Sequence, residues 1–425
     1  MSIESLALTR DRNGVHTRTR TRRPASFDDH PEVVTTRHRL EFRSHIERLG
    51  LPNPYLEPHE GVNATTVQKY GRELVNFSSY NYLGLSGHPH VSEAAKAAID
   101  TYGTSVSASR VVSGEISLYA QLERRIACAY DVEESIATTS GYLTNAAVIG
   151  YLLGPRDIAF CDSLVHNSLV SGTQWAGCRR VNFRHNDPTS LEAVLKMSRS
   201  SAERAMVVLE GHYSMEGDTA LLPELIAVAR KYDCVIMIDE AHSFGVLGGR
   251  GFGMREVYGL AGDAVDIWMG TLSKALGSCG GFLAGKRDLV MAFKYSAPGL
   301  SMFTGGPAPS AIAAALAALE VLEAEPERVQ RLQENGRHLW KLFIDRGFET
   351  GVAQGTPIVP VIMGEIGRAA LASVKLIQAG INVNAILAPA VPQGEERLRF
   401  FATSEHTTDQ LETAVEELDK VVRTT

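Results

Sequence analysis

Short apolar runs alternate with helix-length segments along most of the chain, and this pattern limits the fold more than any other feature. Seven runs follow one another between residues 135 and 285: SIATTS, DIAFCD, RRVNFRH, AMVVLEG, CVIMIDE, AVDIWMG and GGFLAG. Continuous apolar strands separated by helices are typical of a mostly parallel sheet that is covered on both faces. We therefore predict an α/β fold with a large domain over residues 88–310.

The pattern differs at both ends of the chain. Residues 311–425 combine long helical stretches with few strand-like runs and predict a small α+β domain, and residues 41–87 form an N-terminal segment. The stretch TRDRNGVHTRTRTRRPAS carries six arginines and shows no apolar periodicity. We therefore predict that residues 1–40 form a disordered arm. A mitochondrial transit peptide has a similar composition, but Glu4 and Asp11 argue against it.

Composition and charge argue against several classes of protein. The formal net charge of -7 at pH 7 argues against a chain that binds nucleic acid. The five cysteines are scattered without a CxxC pair, so we predict no metal site and a reducing, cytoplasmic location. No apolar stretch reaches the roughly 20 residues that a bilayer requires, so we predict no membrane span.

Two strand ends carry informative residues, because ligands of an open α/β sheet bind at the carboxyl ends of its strands. CVIMIDEAHSFG places Asp239 at the end of a buried strand, where a carboxylate is costly unless it meets a cation. A protonated pyridine nitrogen would suit, but so would a metal-binding Asp–His pair or a structural ion pair with His242. Ser140-Gly141-Tyr142 precedes a helix and suits phosphate, although such turns also arise for steric reasons.

The stretch MGTLSKALGSCGG surrounds Lys274 with small residues. A lysine beside a carbonyl cofactor forms a Schiff base, and small neighbours let a planar ring approach the backbone. Thr271, three residues earlier, offers a hydroxyl to a cofactor phosphate. A lone lysine in such a turn is also compatible with solvation or anion binding, but Asp239 and the Ser140-Gly141 turn favour pyridoxal phosphate. We therefore predict that Lys274 carries this cofactor.

Six motifs together carry a resemblance to a known family: YNYLGL, DSLVHNSLVSG, LEGHYSMEGD, IDEAHSFGVLG, GTLSKALGSCGGF and RLRFFATSEHT. In this order they resemble the α-oxoamine synthases, which are fold-type I pyridoxal-phosphate enzymes. The resemblance runs from about residue 40 to the C-terminus. It implies the condensation of an amino acid with an acyl thioester, with loss of CO2, to give an α-amino ketone. It also implies a homodimer with active sites at the subunit interface.

The resemblance implies four catalytic residues. Lys274 resembles the lysine that forms the Schiff base and moves the substrate proton. Asp239 resembles the acid that pairs with the pyridine nitrogen, and His242 resembles the histidine that hydrogen-bonds the phenolic oxygen. His166 resembles the histidine that stacks on the cofactor ring, although a capping or core histidine would satisfy its position alone.

Other matching residues are implied to hold the cofactor or the substrate. Ser214 resembles the serine that also reaches the phenolic oxygen, and Ala241 the residue on the ring face opposite His166. Arg399 resembles the arginine that grips the substrate carboxylate, although a surface ion pair would satisfy it alone. The phosphate is implied to contact the following residues: Gly141, Tyr142, Thr271 and Thr304, the last from the partner subunit.

Three features depart from the family's usual pattern. Tyr80 resembles the serine palmitoyltransferase branch and polyketide-linked synthases, where its phenol would reach substrate, although a core tyrosine fits equally. Tyr119 stands where relatives usually have a histidine, and the loop FTGGPAP leaves Thr304 with one hydroxyl fewer beside it. Serine is slightly favoured over alanine and glycine as the amino acid. The thioester carrier is left open between coenzyme A and an acyl carrier protein.

Three alternatives stay open from the sequence. Fold type I also supports transamination and retro-aldol cleavage, so the chain could be an aminotransferase or an aldolase-type lyase. A non-catalytic partner subunit is the second alternative, but such a chain is expected to lack the lysine at position 274. Nucleotide binding at GGRGFG, residues 248–253, is the third, but that run does not join a strand directly to a helix.

Overall fold

The computed structural model describes residues 9–10, 16–17, 26–48, 52 and 54–423, which fall into two compact units, Met1–Asn53 and Pro54–Thr425. Within its described residues, the first unit holds an antiparallel pair and one helix: β1 (Thr9–Arg10), β2 (His16–Thr17) and α1 (Pro31–Arg48).

Helix α1 corrects the prediction of a disordered arm that extends to residue 40. Pro31 occupies the first helical position and Glu32 lies in the first turn, and both residues favour the start of a helix. The prediction is therefore wrong for residues 31–40. Most of residues 1–25, including much of the arginine-rich stretch, lie outside the described residues.

The second unit contains the predicted large sheet, which has seven strands. It begins with a hairpin, β3 (Thr66–Lys69) and β4 (Arg72–Asn76), that does not belong to this sheet. The seven strands are β5 (Glu134–Thr138), β6 (Ile158–Asp162), β7 (Arg179–Phe183), β8 (Ala205–Glu210), β9 (Val235–Asp239), β10 (Ile267–Thr271) and β11 (Gly281–Gly285). They lie in the order β5-β11-β10-β9-β8-β6-β7, and β11 is antiparallel to both of its neighbours whereas the other pairs are parallel. The mostly parallel α/β sheet is confirmed.

Helices cover both faces of this sheet. Since side chains of a strand alternate between its faces, one strand contributes to an apolar core on each side. On β6, Phe160 joins one apolar core, whereas Ala159 and Cys161 join the other. The helices of the large domain are α2 (Pro89–Tyr102), α3 (Ser117–Tyr130), α4 (Gly141–Leu152), α5 (Asn167–Ala176), α6 (Pro188–Ser198), α7 (Leu222–Lys231), α8 (Gly253–Tyr258), α9 (Arg287–Ser296) and α10 (Pro309–Ala324). In the part of the chain that is described, no helix combines the length and apolarity of a membrane span.

The C-terminal part forms a small α+β domain around its own apolar core. Its elements are α11 (Glu327–Asp345), β12 (Ile358–Ile362), α12 (Ile366–Gln378), β13 (Ile381–Asn382), β14 (Ala385–Ile386), β15 (Arg397–Phe401) and α13 (Thr408–Arg423). Strand β15 lies between β12 and β14 and is antiparallel to both. Strand β13 instead pairs in parallel with β4, so the N-terminal segment contributes to this domain.

The boundary between the two domains differs from the predicted one at residue 311. Helix α10 buries Ile312, Leu319 and Leu322 in the core of the large domain. Helix α11 places Leu332 in that core and Leu339 in the core of the small domain. The apolar face of α10 therefore belongs with the large sheet, and the two domains share α11.

Candidate active site

Most of the candidate residues lie at the carboxyl edge of the parallel strands. Strand β9 ends at Asp239, β10 ends at Thr271 and β8 ends at Glu210. Asp239 pairs in register with Met269 of β10 and with Glu210 of β8. Adjacent parallel strands thus bring these side chains to one edge of the sheet, where open α/β folds bind ligands.

Asp239 is only 4% exposed, and both of its carboxylate oxygens accept hydrogen bonds. Oδ2 accepts from Nδ2 of Asn145 at 2.7 Å, and Oδ1 accepts from the backbone N–H of Ala241 at 2.9 Å. These two hydrogen bonds fix the orientation of the carboxylate at this buried position. Each oxygen also keeps acceptor capacity for a further cationic partner.

The Lys274 amine lies in an environment that disfavours its charge. Burial, together with the Arg399 guanidinium, lowers its pKa to about 8 despite the opposing effect of Asp239 and Glu210. Its Nζ lies 5.8 Å from the centroid of the Tyr80 ring. A lysine of this kind has a substantial fraction of neutral, nucleophilic amine near neutral pH.

Two glycines let β10, β11 and the start of α4 approach each other closely. Gly141 is the first residue of α4, and a Cβ added there would lie 3.2 Å from Oγ1 of Thr271. A Cβ on Gly281 would lie 2.8 Å from Cα of Gly141, which real Cβ contacts essentially never show. Ser140 caps the helix by accepting from the N–H of Leu143. The result is a helix N-terminus with free N–H groups beside the Thr271 hydroxyl, which suits a phosphate.

Tyr142, the second residue of α4, is 45% exposed and its ring lies edge-on to His166, with 6.0 Å between the ring centroids. Its hydroxyl hydrogen-bonds Asn167 and Ser171 at 2.7 and 2.8 Å. The Tyr142 side chain is therefore anchored to α5, next to the N-terminus of α4 that suits a phosphate.

His242 is buried, and its ring lies edge-on to that of Tyr80 with 5.8 Å between the ring centroids. Burial holds its pKa well below the usual range, and the Lys274 cation acts in the same direction, so the imidazole is neutral. Its Nδ1 lies 2.8 Å from the hydroxyl of Tyr82, a partner that the sequence did not single out. Tyr82 thus fixes the orientation of the ring whose other nitrogen is available to the site.

His166 caps α5 and is held at both its main chain and its ring. Its backbone N–H donates to the carboxyl group of Glu210, and its Nδ1 lies 2.8 Å from Oγ of Ser168. Burial lowers the pKa of His166, and the cations of Lys274 and Arg399 lower it too, whereas Asp239 raises it. Because its pKa is lowered, the His166 imidazole stays neutral. Burial also raises the pKa of Glu210 well above its usual value.

Arg399 of β15 brings the small domain to the site. Its Nη1 donates to the backbone carbonyl of Ser214 at 3.0 Å, and its Nη2 donates to the Tyr80 hydroxyl at 3.2 Å. The guanidinium carbon lies 4.8 Å from the Phe401 ring centroid. Arg399 is 8% exposed, its Nε has no hydrogen-bond partner, and no carboxylate pairs with it in the described part of the chain. A buried guanidinium of this kind is suited to a carboxylate supplied by a ligand.

Thr304 is the one candidate that this chain does not bring to the others through a described contact. Its Oγ1 donates only to the adjacent carbonyl of Gly305, at 3.4 Å. Tyr119 contacts the FTGGPAP loop that contains Thr304, because its hydroxyl donates to the carbonyl of Pro307 at 2.6 Å. A Cβ on Gly306 would lie 2.7 Å from that hydroxyl. Two of the three departures from the family pattern, Tyr119 and the FTGGPAP loop, are therefore in direct contact.

Sequence reasoning missed Asn145, Ser168, Tyr82 and Glu210. Asn145 and Tyr82 contact Asp239 and His242 from positions 94 and 160 residues away, so no local spacing reveals the pairs. Glu210 follows a buried apolar run as Asp239 does, and this signal could have identified it.

Comparison with known proteins identifies the family. The family described as aminotransferase class I and II matches residues 72–418. An 8-amino-7-oxononanoate synthase from Symbiobacterium thermophilum is 37% identical over 90% of this chain and 97% of its own length. A serine palmitoyltransferase from Sphingobacterium spiritivorum is 35% identical over 87% of this chain and 92% of its own.

A solved structure of SPT with a PLP internal aldimine has a TM-score of 0.86 at 30% identity, and the match covers 92% of this chain and 98% of that one. The resemblance and the fold type that the motifs implied are thereby confirmed. This chain belongs to the α-oxoamine synthases, the pyridoxal-phosphate-dependent acyltransferases of the aminotransferase class I and II fold.

Proposed function

We propose that this chain condenses a small amino acid with an acyl thioester and releases CO2 and the free thiol to give an α-amino ketone. The observation that carries the proposal is the buried Arg399 guanidinium, which has no carboxylate partner among the described residues and hydrogen-bonds Tyr80. The Tyr80 ring in turn lies 5.8 Å from the Lys274 amine. A carboxylate held at Arg399 would present an α-amino group towards that lysine.

The residues fit pyridoxal phosphate. The start of α4 offers N–H groups at Gly141 and Tyr142 and the Thr271 hydroxyl for a phosphate, and Asp239 has acceptor capacity for a pyridine nitrogen. When bound, the cofactor supplies an electron sink for a carbanion at the substrate α-carbon. The tight approach of Gly281 to Gly141 leaves the edge of the sheet without side-chain bulk at this point.

We assign the following work to the protein's own groups. Nζ of Lys274 would hold the cofactor and, as the free amine after the substrate amine has replaced it, would take the α-proton of the substrate, for which its lowered pKa suits it. His242 and Ser214 would hydrogen-bond the phenolic oxygen of the cofactor, while His166 and Ala241 would hold the two sides of its ring. Arg399 holds the substrate carboxylate and thereby decides which bond at the α-carbon is aligned for cleavage.

The substrates and the assembly are narrower proposals. Tyr80 donates to or accepts from the substrate beside Arg399, and we favour serine over alanine and glycine as the amino acid. Coenzyme A or an acyl carrier protein delivers the acyl group. We further propose a homodimer in which Thr304 completes the partner's phosphate site, supported by the neighbouring Phe303, which is 84% exposed. A cytoplasmic location is supported by five free thiols among the described residues.

An absorbance titration of the holoenzyme with glycine, L-alanine and L-serine, each alone, tests the proposed function. We expect the visible band of the bound cofactor to respond to one amino acid, with L-serine first, and the acyl thioester then to yield CO2 and a ketone. The variant Arg399→Lys should lose most of this response, because an ammonium cannot replace the bidentate guanidinium. Loss of the substrate amino group without an acyl donor would instead indicate transamination, and a protein without any cofactor band would contradict the proposal.

Capture of the cofactor by the apoprotein should depend on pH through Lys274. The neutral amine is the nucleophile, and its fraction rises about tenfold per pH unit below the pKa. With a pKa of about 8, the capture rate should climb up to about pH 8 and level off above it. Stopped-flow absorbance after mixing apoprotein with pyridoxal phosphate measures this profile. A rate that keeps rising towards pH 10.5, the value of an ordinary lysine, would contradict the assignment.

A further inference from the structure

Asn145 links Asp239 to α5 through its side-chain amide. Nδ2 lies 2.7 Å from Oδ2 of Asp239 and 2.9 Å from Oγ of Ser168. An ionised carboxylate can only accept hydrogen bonds, so the NH2 end of the amide must face Asp239. Both hydrogens of Nδ2 are then used, one for Asp239 and one for Ser168. Ser168 therefore receives a hydrogen bond from Asn145.

The hydrogen bond from Asn145 determines which way the hydrogen bond between Ser168 and His166 runs. Because its Oγ accepts from Asn145, its own hydrogen is free for Nδ1 of His166, which lies 2.8 Å away. The backbone N–H of Ser168 points at the same nitrogen from 3.3 Å. Nδ1 is thus an acceptor of two donors and carries no hydrogen. The hydrogen of this neutral imidazole is on Nε2.

Burial makes this direction obligatory. Ser168 is 0% exposed and Asn145 is 2% exposed, so water cannot replace a lost partner. Nε2 of His166 makes no hydrogen bond within the described residues, and the Glu210 carboxyl fixes the backbone N–H of the same residue. The ring is therefore held at one nitrogen and leaves the other free as a donor.

We propose that Ser168, oriented by Asn145, is a positioning residue that keeps His166 in the Nε2–H form, so that this N–H donates to the carboxylate of the substrate. The inference rests on the proposed function. In the opposite tautomer Nε2 would present a lone pair, which repels a carboxylate, whereas the Nε2–H form adds a donor to those of Arg399. One chain of hydrogen bonds thus connects Asp239, the proposed partner of the pyridine nitrogen, with His166, the proposed donor to the substrate carboxylate.

The variant Ser168→Ala tests this role in the holoenzyme. We expect the dissociation constant of L-serine to rise about tenfold while the cofactor band stays as in the wild type. Ser373→Ala is the matched control, because its buried hydroxyl also donates one hydrogen bond, to the carbonyl of Val383 in the small domain. That control should lose stability without a change in serine affinity.

A double-mutant cycle separates positioning from a general structural effect. In a His166→Asn background, Ser168→Ala should cost no further affinity, since its effect acts through the imidazole. Full additivity of the two substitutions, or wild-type affinity in Ser168→Ala, would overturn the proposal.

The tautomer can also be measured without a substrate. In the holoenzyme labelled with 15N-histidine, the signals lost in His166→Asn should show a protonated Nε2 and a bare Nδ1, and a protonated Nδ1 would overturn the inference. This readout holds even where no amino acid changes the cofactor band. It therefore distinguishes failure of the positioning role from failure of the proposed function.

Discussion

The variant Lys274→Ala should lose turnover by at least about 10³-fold, because it removes both the covalent anchor of the cofactor and the base for the substrate proton. Lys274→Arg should lose as much, since a guanidinium keeps the charge but cannot form the Schiff base. The measurement is the rate of CO2 and ketone formation with saturating pyridoxal phosphate. Borohydride reduction of the wild type, followed by peptide mass analysis, should place the cofactor on Lys274.

Lys231→Ala is the control for these lysine variants. Lys231 lies on the outer surface of α7, where it forms an ion pair with Glu192 at 2.6 Å. Its removal should leave turnover unchanged, because exposed ion pairs contribute little to stability. A Lys274→Ala protein that keeps its turnover to within tenfold would contradict the assignment of the lysine.

The variant Asp239→Asn should lower turnover by about 10²–10³-fold while the cofactor stays bound. An amide is neutral and cannot favour a protonated pyridine nitrogen, so the electron sink is weakened at the step that forms the carbanion. The buried position also forbids water from taking over the role of the carboxylate. Single-turnover kinetics should show the loss in proton removal, with a smaller change in amino acid affinity.

Asp266→Asn provides the matched control for the acid. Asp266 precedes β10 and accepts from Arg230 at 2.7 Å and from the backbone N–H of Ile236 at 2.8 Å. The control should lower the free energy of unfolding without changing turnover. Equal losses of turnover in both variants would show that Asp239 acts only through the stability of the sheet.

The local sequence pattern predicted the mostly parallel sheet well, because buried parallel strands such as β6 and β8 are apolar at almost every position. Position at or just after a strand end also led to the predictions for Asp239 and Lys274, since the carboxyl edge of such a sheet is where ligands bind. These predictions needed only neighbours in sequence.

Contacts between distant segments lay beyond that reasoning. Arg399 contacts Tyr80 across 319 positions, and Asn145 contacts Asp239 across 94, so only the folded chain brings them together. The proposed role of Thr304 would require a second copy of the chain and stays a prediction. Helix α10 was assigned to the wrong domain because an alanine-rich apolar face does not reveal which core it joins.

The pairing of β13 with β4 has a consequence for the order in which the protein can form during its synthesis. Val75 pairs with Ile381, and Nδ2 of Asn382 donates to Oδ1 of Asn76, across 306 positions of chain. The large sheet, whose strands end at Gly285, can assemble while translation continues, but β4 has no partner on this edge until β13 leaves the ribosome. Arg399 follows later still. The nascent chain can therefore build the cofactor's side of the site well before it builds the substrate's side.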